Sequence, residues 1–325
     1  MEISCALATS MNTPEHARIA EELGYLRAWA YDSPPLYPDV WAMLALAAER
    51  TSRIGLGPGV LVPSLRHPMT NAAAIAMLHE MAPGRVYVGV GAGFTGRRAL
   101  GQKPLRFKEV ENYVRALRGL LAGETVEWEG APIKMLHGDG FGAARPIDVP
   151  ILIGAGGPVG AKVAMAVGDG TFAARTPNPH VTGWQALLLY GTVLEEGEDL
   201  SSRRVAEAAA HGTAVRLHSL YEAGGADAVR DQPGGAQWLQ SIEALPADQR
   251  HLAVHEGHLV NMNEHDRKAY EESFSEIKRL TLTGTASELR ERIAELEERG
   301  ATEVVFQPAG TDIAGELERF IAAVG

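Results

Sequence analysis

A single cysteine, Cys5, occurs in 325 residues. No internal disulfide can form, and a thiol within an apolar strand is expected to be buried and inert rather than nucleophilic. Basic residues are in deficit, with 30 Lys and Arg against 41 Asp and Glu and a formal charge of -11. A nucleic-acid surface needs clustered cations to meet phosphates, so such partners are excluded. No run approaches the roughly 20 apolar residues that span a bilayer. The opening MEISCALATS has no basic n-region and enters a strand at once, so no export signal is expected and the chain reads as cytoplasmic. Two catalytic strings are missing as well. No G-x-S-x-G elbow supports a covalent hydrolase. His255-Glu256-Gly257-His258 is not the HExxH of zinc proteases, and Gly257 weakens any helix there, so no metal site is expected.

What is present is an ordinary globular composition, 46% hydrophobic and 22% charged, in a chain long enough for one large core. Residues 53–93 are the most informative stretch. Arg53 to Val62 reads as an apolar strand, Thr70 to Met81 as a helix that Pro68 can open, and Ala82-Pro83-Gly84 as its break. Val86, Val88 and Val90 then alternate with Tyr87, Gly89 and Gly91 in a second strand. This is a βαβ unit, which implies a parallel sheet covered on both faces. The rhythm holds elsewhere: strands at Glu2–Thr9, Tyr25–Tyr31, Pro150–Gly154, Gly170–Ala174, Trp184–Leu194 and Glu303–Gln307, with helices between. Thr13 and Thr285 read as helix N-caps, Gly24 and Gly300 as stops. Val126 to Pro146 reads as a loop-rich excursion, and the rhythm is lost over a helical region at about 201–280. About eight strands with right-handed crossovers fit a closed barrel or an open doubly wound sheet, and periodicity does not choose. With no repeat, low-complexity tract or linker, the expectation is one domain over 1–325.

The strings GLGPGV-LVPSLRHP, A-x-A-x-L-x-E-x-x-P-G-R and V-G-V-G-x-G resemble the third to fourth strand of the bacterial luciferase-like superfamily, closest to its branch that uses the deazaflavin coenzyme F420. The tail from Leu282 to Val304 also looks like the last helix and strand of these enzymes. The resemblance implies an α/β fold of the (β/α)8 TIM-barrel type, with the 201–280 insertion near the barrel mouth. It implies an oxidoreductase that passes a hydride between F420 and a small organic substrate. Two alternatives stay open: an FMN-dependent monooxygenase served by a separate flavin reductase, and a flavin-binding protein without turnover. Relatives are usually dimers or larger, so a homodimer is expected.

A TIM barrel carries its site at the C-terminal ends of the strands. Here those ends are Ala8-Thr9, Asp32-Ser33, Gly59-Val60, Gly91-Ala92-Gly93, Ala155-Gly156-Gly157, Arg175-Thr176 and Gln307-Pro308. They are poor in bulky or ionisable groups, which lets backbone approach a planar ring. The expected cofactor contacts are Thr9, Gly59, Val60, Gly91, Gly93, Ala155, Gly156, Gly157, Arg175 and Thr176. By resemblance, Gly59-Val60 forms a non-prolyl cis peptide behind the middle ring, and Gly156, Gly157, Arg175 and Thr176 hold the cofactor phosphate. A helix opening at Gly157-Pro158 offers amides and a positive dipole end for that purpose. Arg97 and Arg98, on a loop after the fourth strand, read as a solvated pair that an acidic cofactor tail can meet. The candidate proton donors are Asp32, Thr9, His255 and His258, with Asp32, His255 and His258 the catalytic candidates. One departure matters: Asp32-Ser33 and Gly93-Phe94 stand where sugar-phosphate dehydrogenases of this branch carry a His and a Glu, so that chemistry is not carried over. His67, before Pro68, is expected to be structural.

Overall fold

In the computed structural model, which describes Met1–Gly325 in full, eight parallel strands stand around one axis. They are β1 (Glu2–Leu7), β2 (Arg27–Ala30), β3 (Gly55–Pro58), β4 (Val88–Gly91), β5 (Ile151–Gly154), β6 (Gly170–Ala174), β7 (Trp184–Tyr190) and β8 (Glu303–Gln307). Their order is β3-β2-β1-β8-β7-β6-β5-β4, all neighbours parallel, with Cys5 level with Ala28 on one side and Phe306 on the other. The seam between β3 and β4 is closed by single bridges, Leu56 to Val86 and Leu61 to Val90. Gly57 is required there, because a Cβ would stand 1.9 Å from the Tyr87 carbonyl oxygen. The result is the expected TIM barrel.

Strand alternation sorts the side chains. Cys5 and Leu7 face the surrounding helices, where they join the large outer core with Ile75, Leu117 and Phe320. Ala6, Trp29, Leu152, Phe172, Ala186 and Val305 face inward. The interior is layered. At the N-terminal end Glu303, fully buried, accepts from Trp29 Nε1 (3.2 Å) and Trp184 Nε1 (2.7 Å), and Arg27 lies 3.3 Å away between the Tyr87 and Trp184 rings. Trp29 and Phe172 meet edge to face at 5.1 Å in the middle. Above them Tyr31 donates to Gln307 Oε1 at 2.7 Å. A barrel so filled is a core and not a pore.

Several boundaries differ from expectation. The third strand ends at Pro58 rather than Val62, because the chain turns at Gly59; the seventh ends at Tyr190, because Gly191 takes φ 157. The 126–146 excursion holds a short antiparallel hairpin, Val126–Trp128 with Ala131–Ile133, turned by Glu129 and Gly130 at φ 53 and 79. Thr13 is the first helical residue rather than the cap; its Oγ1 accepts from the Ser10 amide instead. Gly24 and the Thr285–Glu288 capping box behave as read, and His67 caps the helix Pro68–Met81 by accepting from the Met69 amide. A terminal helix, Ile313–Val324, follows the last strand. From Arg203 to Leu280 the chain is helical and builds its own cluster around Leu217, Trp238, Leu239 and Val254. No helix is long and apolar enough to cross a membrane.

Candidate active site

At the C-terminal ends of β2 to β6 lies a cavity of about 350 Å³, walled by Gly59, Val60, Gly91, Gly93, Ala155, Gly156, Phe172 and Leu259. A larger recess of about 780 Å³ lies outside the barrel, between helix Phe107–Ala122 and the hairpin, away from the strand ends. The Gly59–Val60 peptide is cis, as the resemblance implies. The glycines divide into two kinds. A Cβ on Gly91 would meet Val60 Cγ2 at 2.7 Å, one on Gly59 would meet Trp29 Cβ at 3.0 Å, and Gly93 takes φ 79 with Val62 2.6 Å from the Cβ position. The fold itself demands these three. Gly156 and Gly157 have nothing within 4 Å of the Cβ position and no left-handed φ. Neither packing nor conformation accounts for them.

The loop carrying that pair is fastened from below. Asn178 is fully buried, and its Nδ2 donates to the carbonyls of Ala155 (3.3 Å) and Gly157 (3.2 Å). Its Oδ1 accepts from the His180 amide at 3.1 Å. The helix Pro158–Val167 starts directly behind, so its first amides open toward the loop. Arg175, at φ 69, and Thr176 are exposed at the end of β6. Asn178 has no expected role in the sequence; the only signal available was its place two residues past Thr176.

The expected proton donors fare differently from one another. Asp32 lines the cavity, but both its carboxylate oxygens lie 2.5 Å from Arg66 Nη1. Burial raises its pKa and Arg66 pulls it back, leaving it above the usual carboxylate value. Thr9 faces an adjoining cavity of about 460 Å³ rather than the glycine-lined one, and its hydroxyl donates to the Pro38 carbonyl at 2.9 Å. His255 stands outside both cavities, with Nε2 2.6 Å from Glu222 Oε1. Arg98 also meets Glu222, at 3.0 Å, and Arg97 donates to Ser64 and the Lys103 carbonyl, so this pair, half-buried on the short helix Phe94–Arg98, is held by partners within the chain. His251 lies against Gly101.

His258 faces the adjoining cavity, together with Thr9 and Asn261. The strap that carries it, residues 257–261, crosses the barrel mouth. Tyr37 donates to the His258 carbonyl at 2.6 Å and Gln307 Nε2 to the Leu259 carbonyl. Leu259, at φ 68, packs on the inner barrel cluster and borders the glycine-lined cavity, and Tyr37 is a wall of both cavities.

A barrel closed at this seam, with a cavity over its strand ends and a helical insertion strapped across the mouth, is the architecture of the luciferase-like enzymes. The chain belongs to that family: the luciferase-like monooxygenase model matches residues 7–303. It is 34% identical over 159 residues to a 5,10-methylenetetrahydromethanopterin reductase of Archaeoglobus fulgidus, covering 48% of this chain and 46% of the relative. A relative matched over greater length is an F420-dependent glucose-6-phosphate dehydrogenase of Intrasporangium calvum, 29% identical over 334 residues, covering 95% and 92% of the two chains. The chain spans about half the length of the first curated relatives it matches. In fold it is similar to the coenzyme F420-dependent tetrahydromethanopterin reductase of Methanopyrus kandleri, with TM-score 0.66, 20% identity and 99% and 98% of the chains covered.

Proposed function

We propose that the chain is an oxidoreductase that transfers a hydride between the deazaflavin coenzyme F420 and a small organic substrate. The observation that carries this reading is the Gly156-Gly157 cradle: two glycines that the protein itself does not require, on a buttressed loop beside an apolar cavity at the strand ends. That is the shape left for a planar ring with a phosphate-bearing tail, and the F420-dependent relatives support the choice of ring. A bound deazaflavin supplies a carbon that accepts or returns a hydride.

The chain's own residues supply the rest. Gly59, Val60 and Gly91 form a smooth wall against which a ring can lie. The loop amides and the helix start behind Gly157 would hold the phosphate, together with Arg175 and Thr176. Asn178 holds the loop in register. The 257–261 strap narrows the mouth and excludes water from the reacting atoms. Asp32, held on Arg66, serves as a fixed charge at the wall. The same reading takes the enzyme as a cytoplasmic homodimer or larger, with a separate reductase for the cofactor.

The test is a titration of purified protein with F420 and with FMN, followed by anaerobic turnover of reduced F420 with enones, imines and ketones. Tight F420 binding with turnover is expected. Activity that appears only with reduced FMN and oxygen selects the monooxygenase instead, a reading that the family model keeps in view. Binding of either cofactor without turnover of any substrate selects the non-catalytic alternative.

A further inference from the structure

Of the expected proton donors, Asp32 and Thr9 are spent on Arg66 and Pro38 and His255 lines neither cavity, which leaves His258. Its surroundings go beyond what HEGH suggests. His258 Nδ1 lies 3.0 Å from His218 Nδ1, and His218 Nε2 lies 2.8 Å from Asp266 Oδ1. Asp266 Oδ1 also accepts from Trp238 Nε1 at 3.0 Å, and Oδ2 accepts from the Asn263 amide at 3.3 Å. The carboxylate is therefore the acceptor toward His218, so His218 carries its proton on Nε2 and presents a lone pair at Nδ1. His258 must then donate from Nδ1. That leaves a lone pair on His258 Nε2, which has no partner in the chain and is not sealed from the 460 Å³ cavity beside Ser10, Tyr37 and Asn261.

Buried polar side chains have to be satisfied to be tolerated. His218 and Asp266 are, at 1% and 2% exposure, while the chain of bonds that starts on them ends at an open nitrogen. A network serving only packing has no need of that outlet. Burial, together with His218, His255 and His211 around it, pushes His258 well below the ordinary imidazole range, so the resting ring is neutral.

We propose that Asp266, His218 and His258 form a buried proton relay whose outlet, His258 Nε2, exchanges the hydroxyl proton of an alcohol/carbonyl substrate couple. The inference rests on the hydride-transfer reading and names the group that completes it. In the oxidising direction the substrate O–H bond breaks and its proton forms a bond to Nε2. The electron pair of the adjacent C–H bond leaves with its hydrogen as hydride to the oxidised deazaflavin, and C=O forms. The charge placed on His258 is shared as its Nδ1 proton moves toward His218 and the Nε2 proton of His218 toward Asp266. Carbonyl reduction runs each step backward. His258 is the catalytic residue; His218 and Asp266 are positioning residues.

Two measurements decide it. Long-range proton–nitrogen spectra of the full chain labelled with [15N]histidine, recorded without cofactor, read the tautomers directly. Expected are a bare Nε2 on His258 and an Nε2–H on His218, with both assignments lost in Asp266→Leu, which offers His218 no acceptor. A proton on His258 Nε2 in the unmodified chain, or spectra unmoved by Asp266→Leu, overturns the relay. In turnover, His258→Gln is expected to lower kcat about 10²–10⁴-fold with the F420 dissociation constant unchanged, which also shows that the variant is folded. Intact F420 turnover at the unmodified rate in His258→Gln overturns the relay and leaves the hydride-transfer reading standing. If F420 fails to bind the unmodified chain, that reading falls, and the tautomer spectra still decide whether the relay exists.

Discussion

Replacing Gly157 separates what the fold needs from what a ligand needs. Its backbone is extended, at φ -132 and ψ 177, and a Cβ there meets nothing within 4 Å. Gly157→Ala should therefore fold without strain and gain about 0.4–1 kcal/mol, because the unfolded chain loses freedom. Gly91→Ala is the contrast: its Cβ falls 2.7 Å from Val60 Cγ2, and overpacking of this kind costs about 1–3 kcal/mol. Gly157→Leu extends the side chain into the cradle and screens its amides. Hydrogen bonds to a charged group are worth about 1.5–3 kcal/mol each; losing two raises the F420 dissociation constant by about two to four orders of magnitude. Urea unfolding reads the stabilities, and fluorescence titration with F420 reads the affinities. Gly157→Leu binding F420 as tightly as the unmodified chain moves the phosphate elsewhere. Gly157→Ala losing more than about 1 kcal/mol refutes the claim that the glycine is free of structural duty.

Asn178→Ala should lower stability by about 1–3 kcal/mol, since buried carbonyls lose their donor, and should weaken F420 binding in the protein that remains folded; unchanged affinity there detaches the loop from the cofactor. Glu303→Gln removes the charge that faces Arg27 and sets an NH2 donor against one of the two indole N–H groups, and a loss of about 2–4 kcal/mol in urea at constant m-value is expected; a loss below about 0.5 kcal/mol refutes the plug at the barrel's closed end. His211, buried against Tyr190 with neither ring nitrogen bonded, has its pKa pushed down by burial to about 4. The unfolded chain takes that proton near pH 6.5, so stability is whole above that value and falls by on the order of 3 kcal/mol as pH drops toward 4. His211→Leu should remove this acid-sensitive share without loss at neutral pH, as read by unfolding between pH 4 and 8.

The barrel was legible because its punctuation is local. Pro68, Gly24, Gly300 and Thr285 stop or start elements through their own backbone chemistry, and short valine-rich runs between them can be little else than strands. The hairpin at 126–133 escaped because three-residue strands, one holding Pro132, have no periodicity to detect. Glycine at the strand ends was visible, but whether the fold or a ligand asked for it was not. Gly91 and Gly157 look alike as letters and differ only by the presence of Val60. The polar chemistry was least legible. Arg66 reaches Asp32 across 34 positions and Asp266 reaches His218 across 48. Neither partner stands at a spacing that any helix or strand makes adjacent. HEGH drew attention to His258 for its neighbours in sequence, whereas its partner, His218, stands 40 positions away.

The grip on the mouth strap is placed on main-chain oxygens: Tyr37 holds the carbonyl of His258, and Gln307 that of Leu259. Carbonyls are the same whatever side chain stands beside them. Leu259 and Val260 can therefore be exchanged by mutation with both of those bonds kept, much as a fixed setting accepts different stones. If the hydride-transfer reading holds, substrate preference can be redesigned at the strap while the glycine floor stays untouched. A saturation library at Leu259 and Val260 is the shortest path to altered selectivity in a chain that still folds.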